Sequence, residues 1–141
     1  TSSISVLEGH HLAATEDDEV ASMENTDRLD IPEGVEVYEI DGPFFFGLAS
    51  RFEELEQMKK PGTKVRIIRM RKVPFIDSTG INNLRNLCER TRKRGVTVIL
   101  CGVTEKVQAT LEKFGVDKEI GAENSFPHIV PALEKANELV K

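Results

Sequence analysis

The feature that most constrains this chain is the alternation of short apolar runs with amphipathic stretches beyond residue 35. Residues 64–73 read as a strand that includes Val65 and Ile67. Residues 96–100 read as a second strand, apolar enough to be buried on both faces. Between them, residues 81–94 carry apolar side chains at helical spacing. Strands that alternate with helices in this way favour a mostly parallel sheet covered by helices.

The remaining elements extend this pattern on both sides. The turn signal Asp41-Gly42-Pro43 joins two short strands, which would form a hairpin. In chain order we predict strands at 35–40 and 44–46, a helix from Gly47, strand 64–73, helix 81–94, strand 96–100, a helix from Thr104, a short strand near Ile120 and a helix within 127–140. The expected fold is α/β, with a mostly parallel central sheet of about four or five strands, an N-terminal hairpin and about four helices.

Charge divides the chain near residue 31. Residues 1–30 hold eight acids and one base, although the net charge of the whole chain is only −5. This stretch also lacks an apolar repeat long enough for a core helix, so we predict an acidic, flexible linker over residues 1–30. Residues 31–141 are expected to form one domain with its own core. Because the first residue is Thr1 rather than Met, we expect a piece of a longer protein.

Composition argues against several classes of protein. No apolar run approaches the roughly 18 residues of a membrane-spanning helix. The two cysteines, Cys88 and Cys101, lack the spacing of a zinc site or a disulfide framework and read as small buried apolar residues. The adjacent pair His10 and His11 offers two metal ligands with no third nearby, so no metal site is expected.

The sequence also argues against an enzyme. A serine nucleophile needs a base, and the one histidine after residue 31 is His128, at the start of the last predicted helix. The motifs of serine hydrolases, phosphate-binding loops and dinucleotide-binding folds are absent. Asp77 is the one plausible catalytic carboxylate in its turn, and it has no partner acid. We therefore expect neither catalysis nor a cofactor.

The turn at residues 77–80 is where function is expected in this fold. Ligands and partners collect at the carboxyl ends of parallel strands and the N-termini of the following helices. Asp77, Ser78 and Thr79 supply an acid and two hydroxyls there, and Gly80 leaves room for a group to approach the backbone. One of these side chains is expected to cap the helix, which contributes about 1 kcal/mol.

Capping does not account for two hydroxyls at one helix start, which leaves a phosphorylation switch open as a second interpretation. A phosphate on Ser78 or Thr79 would add negative charge where the helix dipole favours it. The bases at the end of the preceding strand would then pair with the phosphate: Arg69, Arg71 or Lys72.

The most basic part of the chain is residues 64–94, with ten Lys or Arg against two acids. Nucleic-acid binding is one interpretation, but the whole chain is acidic and has one tyrosine and no tryptophan to stack on bases. Solvated strand ends and helix faces account for most of these charges. The functional alternative is docking to anionic lipid headgroups or to an acidic protein face.

One motif carries a family resemblance. Residues 73–80 read Val-Pro-Phe-Ile-Asp-Ser-Thr-Gly and follow Ile-Ile-Arg-Met-Arg at residues 67–71. This run resembles the central motif of STAS domains, which occur in sulfate transporters and in anti-sigma factor antagonists. The resemblance spans residues 31–141. The arginine-bearing strand and residues 35–47, with Gly-Pro-Phe-Phe where antagonists usually carry a more polar hairpin, resemble the SulP anion permeases.

The resemblance implies a regulatory domain at the cytoplasmic face of a bacterial inner membrane, C-terminal to a multi-helix transporter. Its implied partners are the transmembrane domain of the same full-length chain, a second copy, or a cytosolic protein or kinase. In the antagonist branch the matching residue to Ser78 is phosphorylated, and transporter-branch domains often lack a hydroxyl there. Thr79 is the neighbouring candidate.

We expect the interaction surface to include the turn, the following helix and the strand-end arginines: Asp77, Gly80, Asn82, Arg85, Arg69 and Arg71. The alternative is a free anti-sigma factor antagonist that is switched by phosphorylation at Ser78. A third hypothesis is nucleotide binding, since some STAS domains are thought to bind GTP or ATP, but no Gly-rich phosphate loop supports it.

Overall fold

The computed structural model describes residues 2–8, 11–13, 28–44, 48–57 and 62–141. Its strands are β1 (Ser3–Glu8), β2 (His11–Ala13), β3 (Arg28–Asp30), β4 (Val35–Asp41), β5 (Val65–Lys72), β6 (Thr97–Cys101) and β7 (Ser125–Phe126). Its helices are α1 (Leu48–Gln57), α2 (Ser78–Lys93), α3 (Glu105–Lys113), α4 (Val116–Ile120) and α5 (Ile129–Val140). Within the described ranges, each helix is too short or too polar to cross a lipid bilayer.

The centre of the fold is a five-stranded mixed sheet in the order β1-β4-β5-β6-β7. β4, β5, β6 and β7 run parallel, and β1 runs antiparallel to β4. Ile67 packs on one face of the sheet and Ile68 on the other, and both side chains are fully buried. A strand covered on both faces reads as an almost continuous apolar run, which is why β5 was recognisable in the sequence. The predicted α/β class is confirmed.

The antiparallel pair at the N-terminal side differs from the predicted hairpin. It is formed by β1 and β4, and Phe44, the described residue of the predicted second strand, does not pair with residues 35–40. After β4 the chain follows the end of β5, because the amide of Gly42 bonds to the carbonyl of Lys72 and the amide of Phe44 bonds to the carbonyl of Phe75. Phe44 then makes a parallel bridge with Ile76. Residues 45–46 lie outside the described residues.

β1 falls within the segment that the sequence assigned to a flexible linker. Ile4 lies opposite Ile40, and Val6 lies opposite Tyr38. The serines at positions 3 and 5 alternate with these apolar residues, which is the period of a strand and not of a helix. The linker prediction therefore does not hold for Ser3–Glu8. β2 and β3 form a separate antiparallel pair, while His10 and residues 14–27 lie outside the described residues.

The two faces of the sheet carry different numbers of helices. Residues of α1, α2, α3 and α4 join the apolar cluster on one face, around Tyr38, Phe52 and Leu84. α5 packs on the other face through Ile129, Ala132, Leu133 and Ala136. Residue spacing decides this arrangement, because strand side chains alternate between faces and helical side chains recur every three to four residues.

Several predicted boundaries move. α2 begins at Ser78, so the predicted turn includes its first helical residues. The short strand expected near Ile120 is the helix α4, whose buried residues Val116 and Ile120 are one helical turn apart. The last strand, β7, follows it. α5 has Pro131 in its first turn, where a proline is tolerated.

Candidate functional site

The loop that leads from β5 into α2 positions the predicted site. Asp77 has an extended backbone and directly precedes α2, and its carboxylate Oδ1 accepts a hydrogen bond from the Gly80 amide at 2.6 Å. This is the N-cap arrangement, in which a side-chain oxygen satisfies an amide that the helix leaves unpaired. The capping interpretation of the turn is confirmed, with Asp77 as the cap.

Gly80 is required by packing inside the molecule. It is buried, and a Cβ atom at this position would lie 2.9 Å from Ile76 Cγ1 and still closer to the backbone oxygen of Phe44. The sequence suggested that Gly80 leaves room for an approaching group. In the structure the group that approaches is the Phe44 carbonyl of the same chain. The absence of a side chain at Gly80 therefore allows α2 to pack closely against Phe44, in the segment after β4.

Ser78 and Thr79 are the first two residues of α2, and both are exposed to solvent. Their hydroxyls stand at the positive end of the longest helix in the described part of the chain, where negative charge is favoured. The geometry makes both hydroxyls accessible to a partner or a modifying enzyme.

Arg69 and Arg71, which the sequence assigned to the same surface, are held by another residue. Nη1 of Arg69 lies 3.2 Å from Glu39 Oε2, and Nη2 of Arg71 lies 3.0 Å from Glu39 Oε1. Arg69 is directly opposite Glu39 in the strand register and is 1% exposed. Strand alternation places both arginines on the side of Ile67, which is the α5 face of the sheet. α2 covers the opposite face.

The two predicted surface residues of α2 also differ from each other: one faces solvent, and the other is paired within the molecule. Asn82 is exposed to solvent, as predicted. Arg85 is half-buried, and its Nε lies 3.0 Å from both carboxylate oxygens of Glu119. Its Nη2 donates to the carbonyl of Phe114 at 2.7 Å. Arg85 therefore links α2 to α4 and to the end of α3, and its charge is already paired.

Phe75 is a surface residue that the sequence analysis missed. The residue is 37% exposed, and the Lys106 ammonium of α3 lies 5.7 Å from the ring centroid. It lies in the loop between the end of β5 at Lys72 and the start of α2 at Ser78. The signal in the sequence was an aromatic residue within the turn motif at residues 73–80. Phe75 therefore adds an exposed aromatic side chain to the loop that leads into the exposed residues Ser78 and Thr79.

The second feature missed by the sequence analysis is a buried charge cluster around Arg66. Its guanidinium bonds to Glu36 at 2.9 Å, to Glu56 at 2.5 Å and to the Thr91 hydroxyl at 3.0 Å. The Arg66 guanidinium also lies 4.4 Å from the centroid of the Tyr38 ring. Burial opposes the charge, but the pKa of Arg66 is raised because Tyr38, Glu36 and Glu56 together stabilise the cation. This cluster joins β4, β5, α1 and α2.

The cysteines and the histidine of residues 31–141 lie in buried or half-buried positions. Cys88 and Cys101 are buried, as predicted, and form no disulfide. Burial raises the pKa of the Cys88 thiol to about 12, so the thiol stays protonated at neutral pH. His128 directly precedes α5 and is half-buried. Among the residues that the structure describes, no group of three His, Cys, Asp or Glu side chains could hold a metal ion.

Comparison with known proteins places this geometry in a family. The family model described as the STAS domain matches residues 28–136. A Bacillus subtilis protein named "Putative sulfate transporter YvdB" is 32% identical over 97 residues, which are 67% of this chain and 18% of that protein. The chain therefore spans less than a fifth of this curated relative.

Two solved structures share the fold at higher coverage. A sulfate transporter family protein from Wolinella succinogenes is 42% identical, with a TM-score of 0.76 over 83% of this chain and 96% of that one. The SulP transporter STAS domain from Vibrio cholerae is 33% identical, with a TM-score of 0.70 over 85% of this chain and 91% of that one.

Proposed function

The chain belongs to the STAS domain family, and from this premise we propose that it is the regulatory domain of an anion transporter of the SulP kind, without catalytic activity of its own. The observation that carries the proposal is the similarity, above 30% identity, to a SulP transporter STAS domain, to a sulfate transporter family protein and to the protein named "Putative sulfate transporter YvdB". Such a domain would lie at the cytoplasmic face of the membrane, tethered to the transmembrane part.

The surface through which it would act is the N-terminal end of α2, with Phe75, Ser78 and Thr79. A binding surface gains affinity when its groups are already fixed, because less conformational freedom is lost on docking. The Asp77 cap and the close packing of Gly80 against Phe44 fix this end of α2. An exposed aromatic side chain beside polar groups is a typical anchor at the centre of an interface.

The proposed role of Phe75 can be tested in the full-length protein that contains this chain. We would reconstitute it in proteoliposomes and measure uptake of radiolabelled sulfate. Phe75→Ala is expected to change the initial rate by about fivefold or more, the lower end of typical coupling between sites. Phe114→Ala is a matched control, because Phe114 is 39% exposed and also has a lysine, Lys113, near its ring.

The control is expected to leave uptake within about twofold of the wild type, which is well below the coupling expected at Phe75. Equal rates for the wild type and both variants would contradict a regulatory role for this surface. A similar change in both variants would show that the loss of any exposed phenylalanine alters uptake, and that the effect is not specific to Phe75. Circular dichroism of both variants would establish that neither is unfolded.

A second candidate function is that of a free anti-sigma factor antagonist switched by phosphorylation. The observation in its favour is the exposure of Ser78 at the positive end of α2. Against it, the nearby Asp77 would repel a phosphate, and Arg69 and Arg71 are paired with Glu39. Mass spectrometry after incubation with a cognate kinase tests this candidate, and the absence of phosphate on Ser78 would exclude it.

A further inference from the structure

The C-terminal end of α2 gathers exposed positive charge. Four bases lie in its last turn and at the residue that follows, and all are exposed to solvent: Arg90, Arg92, Lys93 and Arg94. Lys64, just before β5, is also exposed, and its carbonyl accepts a hydrogen bond from the Thr97 amide at 3.0 Å. Lys64 therefore lies beside the segment that connects α2 to β6. We call these five bases the basic end.

Stabilisation of the helix accounts for only part of this charge. Bases in the last turn are favourable because the C-terminal end of a helix carries partial negative charge, but each contributes only about 0.3–1 kcal/mol. Lys64 belongs to a different element. The end of α2 is also closed by its own backbone, because the Arg94 amide bonds to the Thr91 carbonyl at 3.1 Å and the Gly95 amide to the Arg92 carbonyl at 2.9 Å. The charges are therefore carried on a fixed backbone.

The five bases differ in the ion pairs that they make inside the molecule. Nη1 of Arg94 lies 3.2 Å from Glu56 Oε2, and Nη1 of Arg90 lies 3.9 Å from Glu53 Oε1. Both acids belong to α1. The other three bases form no ion pair with an acid in the part of the chain that the structure describes. An arriving carboxylate could therefore pair with these three without breaking an internal ion pair.

The basic end and the N-terminal end of α2 lie at opposite ends of the sheet. α2 begins at the carboxyl end of the parallel strands and ends at their amino end, about 24 Å away for its 16 residues. β1 begins at Ser3, opposite Asp41, the last residue of β4. In the proposed function the transmembrane part precedes this domain, so the chain would enter the sheet at the carboxyl end. The basic end would then face away from the membrane, and the preference for a protein partner over a lipid rests on that proposed function.

We propose that the basic end binds an acidic segment, rich in Asp and Glu, of a cytosolic protein. Within the described ranges the large apolar residues exposed to solvent are Phe75, Phe114 and Leu139, and none of them lies in the last turn of α2. Charge therefore supplies the recognition, through carboxylates that pair with the bases of this end. Recognition of this kind speeds association and is weakened by salt.

The test is fluorescence anisotropy of a labelled peptide of alternating Glu and Ser, titrated with the 141-residue chain at low salt. We expect saturable binding that high salt weakens. Arg92→Glu combined with Lys93→Glu should weaken the Kd about tenfold, which corresponds to about 1.4 kcal/mol. The matched control combines Lys113→Glu with Lys118→Glu, the same charge change at exposed positions of α3 and the neighbouring α4. It should leave the Kd within about twofold, because exposed charges away from the site are screened.

Several outcomes would overturn the proposal. These are the absence of peptide binding at low salt, equal weakening by both double variants, and equally tight binding of a peptide with Gln in place of Glu. Circular dichroism would establish that both double variants are folded. Co-sedimentation with phosphatidylserine vesicles that is lost in the Arg92 and Lys93 double variant would also contradict the proposal, because the basic end would then bind a lipid surface.

Failure of this proposal is distinguishable from failure of the proposed function. The peptide titration uses the isolated chain, whereas the transporter assignment depends on where the native protein is found. Peptide binding by the chain of a native protein that is soluble would support the basic end as a binding site and contradict the transporter assignment. A membrane-bound native protein whose chain does not bind the peptide would give the opposite result.

Discussion

The surroundings of Arg66 and the N-terminal end of α2 are both rich in polar groups, but they differ in where those groups find partners. Around Arg66 the partners lie inside the molecule, on β4, α1 and α2, and the Arg66 side chain is 1% exposed. At α2 the backbone is fixed from inside by Asp77, while Ser78 and Thr79 face solvent. The difference separates charges that hold the fold together from groups that are available to a partner.

The largest expected effect is at the buried charge cluster around Arg66. Arg66→Ala leaves Glu36 and Glu56 buried close to each other without their shared cation, and removal of one partner of a buried pair costs about 3–5 kcal/mol. Urea unfolding would measure the loss. Arg92→Ala, at an exposed position of α2, should change the free energy of unfolding by less than about 0.5 kcal/mol. A similar small loss for both variants would show that the Arg66 cluster does not stabilise the fold.

A smaller effect is expected at the N-terminal end of α2, where Gly80 packs against the core. Gly80→Ala places a Cβ against Ile76 Cγ1 and the Phe44 carbonyl, and crowding of this kind costs about 1–3 kcal/mol. The measurement is again denaturant unfolding, with Asn82→Ala as the control at an exposed position two residues further along the helix. If Gly80→Ala were as stable as Asn82→Ala, the close packing of α2 on Phe44 would be refuted.

The cap itself has a smaller expected effect. Asp77→Ala removes the acceptor of the Gly80 amide and should cost about 1 kcal/mol. Asp77→Asn keeps a capping oxygen, so its stability should stay within a few tenths of a kcal/mol of the wild type, about 0.3. Thermal unfolding distinguishes the two variants. Equal losses would mean that the charge of Asp77, and not its hydrogen bond, is what matters.

The smallest effect belongs to the exposed hydroxyl. Ser78→Ala should change the free energy of unfolding by less than about 0.5 kcal/mol, because Asp77 and not Ser78 supplies the cap, and the Ser78 side chain is exposed. Denaturant unfolding of the isolated domain is the readout. A loss above 1 kcal/mol, on the order of a lost cap, would place Ser78 among the structural residues and weaken the distinction between the two regions.

The central strands and the helix between them could be predicted from the sequence, because the spacing of apolar residues within a short stretch indicates each of them. The apolar runs of β5 and β6 and the helical spacing of α2 identify a parallel sheet with a covering helix. β1 could not be recognised in this way, since its three apolar residues, Ile4, Val6 and Leu7, lie in a mostly polar and acidic segment. Its place depends on the pairing of Ile4 with Ile40, which are far apart in the chain.

The candidate site shows the same difference between features that nearby residues determine and features that distant residues determine. A side-chain cap at the start of α2 could be predicted from the residue types, but the choice of Asp77 depends on the helix beginning at Ser78. The role of Arg66 depends on Glu36, which is 30 residues away, and Thr91, which is 25 residues away. In the sequence Arg66 resembles the other bases of residues 64–94. Periodicity does not reveal which of these charges is buried, because burial is decided by tertiary contacts.

The measurement that tests the central claim most directly is an immunoblot of the native protein, with an antibody against this domain, on separated membrane and soluble fractions. A SulP-type transporter needs several membrane spans of about 20 residues each in addition to this domain. We predict a membrane-bound band several-fold heavier than the 15.8 kDa of this chain. A soluble band near the size of this chain would contradict the transporter assignment and would favour the phosphorylation switch at Ser78.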